Sequence, residues 1–216
     1  NTTAAASGDG RLTGVTIRSI NDDGELTSGV EQLACDLLAV SGGWSPVVHL
    51  HSQRQGKIRW DDDLAAFVPS TVVPNQQVAG AGRGSFALDD CVAEGISAGA
   101  AAVGAAGFDT ENSGAAADPL VFSEPKASAP TRQLWLVPGQ EGGPDDWHHH
   151  FVDFQRDQSV ADVLRSTGAG MRSVEHVKRY TSISTANDQG KTSGVNAIGV
   201  IAYLAYGRVR SRLAAA

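Results

Sequence analysis

Apolar residues in the first part of the chain follow the pattern of short strands separated by glycine-rich breaks. In residues 11–21, Leu12, Val15 and Ile17 are β-forming positions, which predicts a strand. Residues 34–40, with the sequence ACDLLAV, form a nearly continuous apolar run. Such a run predicts a strand that is buried on both faces.

Two further segments lead towards a long helix. Residues 57–68 are mixed and contain strand positions, and residues 72–78 lead into the break AGAGRG. Residues 88–105 then show near-helical spacing of apolar side chains, with acidic residues where a helix would begin. The probable strand positions within 57–68 are Ile58, Trp60 and Phe67.

The second half of the chain shows helical signals after a linker. Residues 104–150 are rich in Gly, Ala, Pro and Ser, and they contain one predicted short strand, QLWLV, at 133–137. Ser159, followed by Asp162, predicts the start of a first helix. Ser173 predicts the start of a second, and the apolar residues between 192 and 206 predict a third, mostly buried helix.

Composition narrows the class of protein. Hydrophobic residues make up 41% and charged residues 19% of the 216 positions, which is typical of a globular chain. The net charge of −7 argues against a general nucleic-acid binder. There is no apolar run of about 18 residues, so we expect no membrane span. Two cysteines, without metal-ligand spacing, favour a reducing, cytoplasmic setting.

Two glycine-rich junctions are the first candidate chemistry. Gly42 and Gly43 follow the predicted strand at 34–40, and glycine at such a position lets a nucleotide approach the backbone. A plain tight turn is the alternative. Gly80 and Ala81 open the second junction, which precedes a helix and could offer backbone amides to phosphate or ribose oxygens.

Three other patterns do not support a site. Gly190-Lys191-Thr192 imitates the end of a P-loop, but the matching upstream glycine is absent and no apolar strand precedes it. The histidines at 148–150, and the pair at 49 and 51, lack Cys or carboxylate partners at ligand spacing, so we interpret them as solvated loop residues. No GxSxG nucleophile elbow occurs.

Longer stretches resemble one protein family. The runs VEHVKRYT and NDQGKTSGVNAIGV, within residues 151–202, closely resemble the alpha subunit of bacterial heterotetrameric sarcosine oxidase. The earlier stretches VSGGWSPVVHLHSQ and VAGAGRGSF also resemble this family, in the same order. The resemblance covers about residues 34–202. It implies an internal fragment of that subunit, without the first GxGxxG half of its dinucleotide fold and without its folate-binding domain.

The resemblance also implies the fold class. We expect an α/β domain, the second half of a two-dinucleotide-binding flavoprotein-like fold, followed by a small all-α domain. The predicted divisions are a partial NAD-binding domain, a linker with a short strand, a helical domain and an atypical tail, at residues 1–106, 107–150, 151–205 and 206–216.

The helical domain is similar to small iron–sulfur modules, whose cysteines follow a CxCE and CQGxxC pattern. None of the matching positions here is a cysteine: they are Asp153, Gln155, Asp188 and Ser193. Because iron–sulfur clusters are held chiefly by thiolates, we expect this domain to carry no cluster.

The family's cofactors and partners follow from the same resemblance. It implies NAD in the dinucleotide fold, FMN near the alpha–beta boundary, FAD on the beta subunit, tetrahydrofolate in the missing domain, and beta, gamma and delta subunits as partners. Positions that would contact NAD are Gly42, Gly43, Gly80, Ala81, Phe86 and Leu88. Lys178, Arg179 and Lys191 could face the FMN phosphate, or could be solvated helix-end charges. No residue is expected to be catalytic.

Other function classes stay open at this point. The chain could belong to a related amino-acid or opine dehydrogenase alpha subunit, or be a non-catalytic NAD-binding or subunit-interaction module. A standalone flavin- or NAD-dependent reductase is disfavoured because the GxGxxG half is absent. A cluster-binding electron carrier is disfavoured by the replaced cysteines.

Overall fold

The computed structural model describes residues 2–7, 11–21, 26–108, 130–137 and 146–206. The chain divides into two compact units, one formed by Asn1–Ser41 with Arg132–Ala216 and the other by Gly42–Thr131. Most of the predicted linker, and residues 207–216 of the predicted tail, lie outside the described residues. The domain boundaries stay predictions.

The first unit begins with a three-stranded antiparallel sheet. Its strands are β1 (Thr2–Ser7), β2 (Gly14–Ile20) and β3 (Leu26–Ala34), paired in the order β1-β2-β3. Val15 on β2 is buried, whereas β3 is largely exposed. The strand predicted within residues 11–21 is therefore confirmed as β2.

The strand predicted at residues 34–40 is wrong. β3 ends at Ala34, and no regular element follows before residue 49. Leu37 is 78% exposed and Val40 is 80% exposed. A strand buried on both faces needs paired neighbours and a covering layer on each side, and the described residues supply neither around this run.

The second unit contains a short helix and a hairpin. The helix is α1 (His49–Gln53), and the hairpin pairs β4 (Ile58–Asp61) with β5 (Ala66–Pro69). Trp60 pairs with Phe67 across the hairpin, with ring centroids 5.0 Å apart in an edge-to-face arrangement. The predicted strand positions in 57–68 are confirmed.

A long helix closes the second unit. A single turn of 3-10 helix at Gly80–Gly82 leads to α2 (Leu88–Ala105), whose bounds match the predicted helix. Residues 72–78 form no strand and contribute only one bridge, between Val73 and Gln76. Pro74 and Asn75, which lie inside that bridge, turn the chain instead of extending it, and Asn75 has a φ of 57°.

The rest of the first unit is a small helical bundle. After a 3-10 turn at Asp146–His149 come a short hairpin and three helices. They are β6 (Phe151–Asp153), β7 (Gln158–Ser159), α3 (Val160–Gly168), α4 (Val174–Thr181) and α5 (Gly194–Tyr206). Their apolar faces share one core, formed by Leu136, Val152, Val160, Val163, Val177, Ile183, Ala197, Val200 and Ile201.

Polar caps define where these helices begin, as the sequence predicted. The amide and the hydroxyl of Ser159 both donate to the Asp162 carboxylate, each at 2.9 Å. The Ser173 hydroxyl accepts from the His176 amide at the start of α4. Ser182, with a left-handed φ of 62°, ends α4.

The strand predicted at residues 133–137 is also wrong. This segment is irregular, with Leu136 buried in the helical core and Trp135 packed against it. A Cβ atom on Gly199 would lie 2.1 Å from the Trp135 ring. The apolar side chains of this segment therefore pack on α5 instead of pairing with another strand.

The fold class is confirmed at the level of helices and small sheets in the first part of the chain, followed by a helical part. The strand pairs in the described residues are all antiparallel. Within the same residues, no helix combines the length and the apolarity needed to cross a bilayer.

Candidate functional site

The two glycine junctions lie in the same compact unit. Gly43 has a φ of 101° and is exposed with Gly42, whereas Gly80 is buried and has a φ of 60°. A Cβ atom on Gly82 would lie 4.0 Å from the Val47 carbonyl oxygen. The segment that follows the first junction therefore reaches the second.

One carboxylate clamps the loop of the second junction. Glu94, on α2, accepts a hydrogen bond from the Gly80 amide at 2.7 Å and another from the Ser85 hydroxyl at 2.6 Å. The Ser85 and Gly80 bonds lower the pKa of the Glu94 carboxyl, partial burial opposes them, and Arg83 adds a smaller lowering. Glu94 is therefore a fixed anion at the inner side of the loop.

The loop is also packed tightly on its neighbours. Gly84 has a φ of 102°, and a Cβ atom there would lie 2.8 Å from Leu64 and 3.0 Å from Val68. The Cys91 thiol donates to the Ser85 carbonyl oxygen at 3.0 Å. The loop between residues 80 and 85 is thus held by the hairpin on one side and by α2 on the other.

The remaining predicted NAD positions near the second junction lie within this loop or directly after it. Ala81 is exposed in the 3-10 turn, Phe86 is half-buried, and Leu88 at the start of α2 is 56% exposed. Ala81 and the residues after it form one continuous region with Gly80. Gly42 and Gly43 belong to the same unit, joined to that region through Val47.

In the helical bundle, a hydrogen-bonded network joins three of the positions that match cluster ligands. Asp153 is 2% exposed, and one of its oxygens accepts from the Ser184 amide at 2.7 Å and from the Ser193 hydroxyl at 3.2 Å. The hydroxyls of Ser184 and Ser193 lie 2.9 Å apart. The other Asp153 oxygen accepts from the amides of Gln155 and Arg156 at 3.0 and 3.2 Å.

The fourth matching position has a separate role. The Asp188 carboxylate accepts from the amides of Gly190 and Thr192, at 3.1 and 2.9 Å, and from the Thr192 hydroxyl. These bonds, with the Thr192 hydroxyl as the strongest, hold the pKa of the Asp188 carboxyl below its ordinary value. Asp188 therefore shapes the turn that leads into α5.

The predicted cations differ in their surroundings. Lys178 lies 3.8 Å from Glu175, one turn earlier on α4, and the Lys191 ammonium donates to the Asp188 carbonyl oxygen at 3.2 Å. Arg179 is exposed and has no hydrogen bond or ion pair with the described residues. All three side chains belong to the helical bundle. Of the three, Arg179 is the one whose charged group is most available to bind an anion.

The histidines are placed differently from one another. His148 and His149 are exposed, as predicted. His51 was wrongly interpreted as solvated: it is 4% exposed on α1, and its ring lies 3.1 Å from the Lys57 carbonyl oxygen. The described residues include no group of three or more His, Cys, Asp or Glu side chains arranged to hold a metal ion.

Sequence reasoning missed Glu94 and Ser184. Both act on loops that are distant along the chain, since Glu94 lies 14 residues from Gly80 and Ser184 lies 31 residues from Asp153. The sequence signal for Glu94 is an acid among small residues beyond the first turn of α2.

The fold has a counterpart among solved structures. It aligns with the crystal structure of L-proline dehydrogenase from P. horikoshii at a TM-score of 0.55 and 18% identity, over 96% of this chain and 39% of that chain. Residues 147–212 match the family described as the sarcosine oxidase A3 domain. The class is therefore a chain with a fold like that of this proline dehydrogenase, in which residues 147–212 match a sarcosine oxidase domain.

Curated relatives identify the family more closely. The chain is 53% identical to the sarcosine oxidase subunit alpha of Corynebacterium sp. (strain P-1) over 89% of its length, and 54% identical to that of strain U-96 over 94%. It is 37% identical to that of Rhizobium meliloti (strain 1021) over 80%. The chain belongs to the sarcosine oxidase alpha-subunit family, and it spans 19% and 20% of the two Corynebacterium proteins.

Proposed function

We propose that this chain is a non-catalytic part of a sarcosine oxidase that forms 5,10-methylenetetrahydrofolate. The complex would convert sarcosine, tetrahydrofolate and oxygen to glycine, methylenetetrahydrofolate and hydrogen peroxide. The observation that carries the proposal is the identity of 53–54% to sarcosine oxidase alpha subunits over 89–94% of the chain. The chain would contribute part of an NAD site and a surface for partner subunits, in the cytoplasm.

The NAD site would lie along Gly42, Gly43, Gly80, Ala81, Phe86 and Leu88. Left-handed φ angles at Gly43 and Gly80 suit a backbone that a ligand approaches closely, and Phe86 and Leu88 supply apolar surface. The Gly80 amide is already bonded to the Glu94 carboxylate, which would repel a phosphate. The residues therefore fit a part of NAD without negative charge, the ribose or the nicotinamide, better than the pyrophosphate.

The flavin phosphate proposal is supported by charge. An exposed guanidinium on Arg179, with Lys178 and Lys191 in the same bundle, suits an FMN phosphate at a subunit boundary. The carboxylates of Asp153 and Asp188 occupy the amides of the α4–α5 loop, so the side chains and not the loop amides would hold the phosphate. FAD on the beta subunit, tetrahydrofolate, and the gamma and delta subunits would lie outside this chain.

Oxygen consumption tests the non-catalytic role. The purified chain with sarcosine and added FAD is expected to show no hydrogen peroxide formation above buffer. An assembled sarcosine oxidase from the Corynebacterium relative is the positive control. Turnover by the chain alone would contradict the proposal.

Gly80→Val tests the NAD site. The substitution forces a β-branched residue into a left-handed conformation, which costs roughly 1–2 kcal/mol. Its Cβ atom would also lie 3.4 Å from the Cys91 sulfur on α2, so the loop that would receive the cofactor must shift. Made in the complete subunit, it is expected to abolish NAD recovered by chromatography after denaturation. The matched control is Gly95→Val, because a Cβ atom there meets nothing within 4 Å. A full equivalent of NAD in Gly80→Val would place the site elsewhere.

A further inference from the structure

The loop that joins Gly80 to α2 is held by a side chain that is not among the proposed NAD contacts. Glu94 is the side chain that bonds both ends of the loop, through Gly80 at 2.7 Å and Ser85 at 2.6 Å. Other hydrogen bonds within the loop are short-range, from the amides of Arg83 and Ser85 to the Gly80 carbonyl oxygen at 2.8 and 3.2 Å. Glu94 therefore ties both ends of this turn to α2, and the Cys91 thiol adds a third hydrogen bond from α2 at the Ser85 end.

The clamp acts on a backbone whose glycines have conformational freedom to restrict. Gly80 and Gly84 both have left-handed φ angles, of 60° and 102°. Glycine populates this region freely but loses the most entropy when it is fixed there. A two-point contact from a helix restricts that freedom at both ends of the loop, so the loop has one shape before any ligand arrives.

We propose that Glu94 is a positioning residue for nucleotide binding, one that fixes the loop between Gly80 and Ser85 in the shape that receives the ribose of the nicotinamide half. This inference rests on the proposed NAD site. Glu94 acts through the loop, since its two carboxylate oxygens are turned to Gly80 and Ser85. Its negative charge also disfavours a phosphate at this junction, so the loop favours a part of the cofactor that carries no negative charge.

The chain contains its own reporter of loop shape. The Cys91 thiol donates to the Ser85 carbonyl oxygen, at the end of the loop that Glu94 holds. Cys35 and Cys91 are the two cysteines of the sequence, so a Cys35→Ser background leaves Cys91 alone to react. Release of the loop would free the thiol and speed its modification by a thiol reagent.

Three substitutions separate positioning from general stability. Glu94→Ala removes both contacts and should preserve α2, because alanine favours helix and α2 has no buried residue. Glu94→Gln is the conservative variant, since its amide oxygen can accept from Gly80 while its NH2 group donates to the Ser85 hydroxyl. Asp90→Ala is the matched control, an exposed acid lost from the same helix.

The first measurement is the rate of Cys91 modification in the chain. We expect Glu94→Ala to raise the rate about tenfold, the size of effect that loss of one charge-assisted hydrogen bond produces. Glu94→Gln should stay near the parent rate, and Asp90→Ala should match it. An unchanged rate in Glu94→Ala would overturn the positioning role.

The second measurement compares affinities for NAD and for ADP, which lacks the nicotinamide ribose, in the complete alpha subunit. We expect Glu94→Ala to weaken NAD binding about tenfold and leave ADP binding unchanged, with recovery in Glu94→Gln. Equal losses for NAD and ADP would overturn the inference. If the unaltered subunit binds no NAD, the NAD proposal fails, and the Cys91 rate alone decides whether Glu94 positions the loop.

Discussion

Carboxylates that accept several hydrogen bonds organise the loops of this chain. Asp153 accepts four, Asp188 accepts three, and Glu94 accepts two. A buried carboxylate is costly unless donors replace its lost water. Asp153, at 2% exposure, meets that condition with donors from the β6–β7 turn and from the α4–α5 loop. It therefore links positions that lie 31 and 40 residues away along the chain.

Replacing this carboxylate with an amide should destabilise the bundle. Each carboxylate oxygen of Asp153 accepts from two donors. In Asp153→Asn, the NH2 group replaces one of these oxygens, so two donors lose their acceptor whichever way the amide is oriented. We expect a loss of about 1–3 kcal/mol in the free energy of unfolding, measured by urea denaturation. Asp157→Asn, an exposed change nearby, should alter it by less than about 0.5 kcal/mol. Equal effects of the two substitutions would refute the linking role of Asp153.

The cap of α3 should make stability depend on pH. Burial favours the neutral Asp162 acid, but the bonds from Ser159 outweigh it and lower the pKa of this carboxyl below its ordinary 3.8. Because the folded pKa is lowered, the stabilisation is complete above 3.8 and is lost as pH falls through the lower, folded pKa.

The matching experiment measures the free energy of unfolding of the parent chain and of Asp162→Asn, at pH 7 and in acid. At neutral pH we expect the variant to be less stable by about 1 kcal/mol or less, since the pair is partly exposed. The difference in the free energy of unfolding should shrink in acid. A difference that stays constant with pH would show that the Asp162 charge does not stabilise the cap.

Helices could be predicted from the sequence where the residues that define them lie close together along the chain. The helix α2 and the starts of α3 and α4 follow from periodicity and from capping residues within a few positions. Residues 34–40 and 133–137 were mistaken for strands because an apolar run does not say what covers it. One run is exposed, and the other packs Trp135 and Leu136 on a helix core.

The candidate site was predictable to a similar extent. Glycine identity indicated the junctions at Gly43 and Gly80, and both have left-handed φ angles. The clamp by Glu94 and the network around Asp153 depend on tertiary contacts between distant segments. No pattern of spacing along a single sequence carries that information.

The close packing between Trp135 and α5 can be tested by a substitution at Gly199. In Gly199→Ala the new methyl would lie 2.1 Å from the Trp135 ring, so the ring must move. We expect a loss of about 1–3 kcal/mol in the free energy of unfolding. In a Trp135→Ala background the same substitution should be nearly neutral. The control Gly194→Ala, which meets nothing within 4 Å, should not destabilise the chain through contact.

As a whole, the chain presents large apolar side chains to solvent. Trp44 is 78% exposed, Leu50 is 70% exposed and Val72 is 94% exposed, all within the second unit. The chain spans 19–20% of the length of its Corynebacterium relatives. Such exposure supports the proposal that the chain works as part of a larger protein.

The helical bundle is expected to take up no iron–sulfur cluster. Asp153 and Ser193 are bonded to one another, and none of the four ligand-matching positions offers a thiolate. Anaerobic reconstitution with iron and sulfide should leave no cluster bands in the visible spectrum after desalting. The same reconstitution of the chain unfolded in urea is the control for loosely bound iron. A stable cluster spectrum in the folded chain alone would refute the expectation.

The central claim is that this chain is a working part of a sarcosine oxidase alpha subunit. The most direct measurement places it, in exchange for the matching segment, in the alpha subunit of Corynebacterium sp. (strain P-1), to which it is 53% identical. Co-expressed with the partner subunits, the exchanged subunit should assemble and support sarcosine-dependent hydrogen peroxide formation. If it yields no sarcosine turnover while the unexchanged subunit in the same preparation is active, the claim is contradicted.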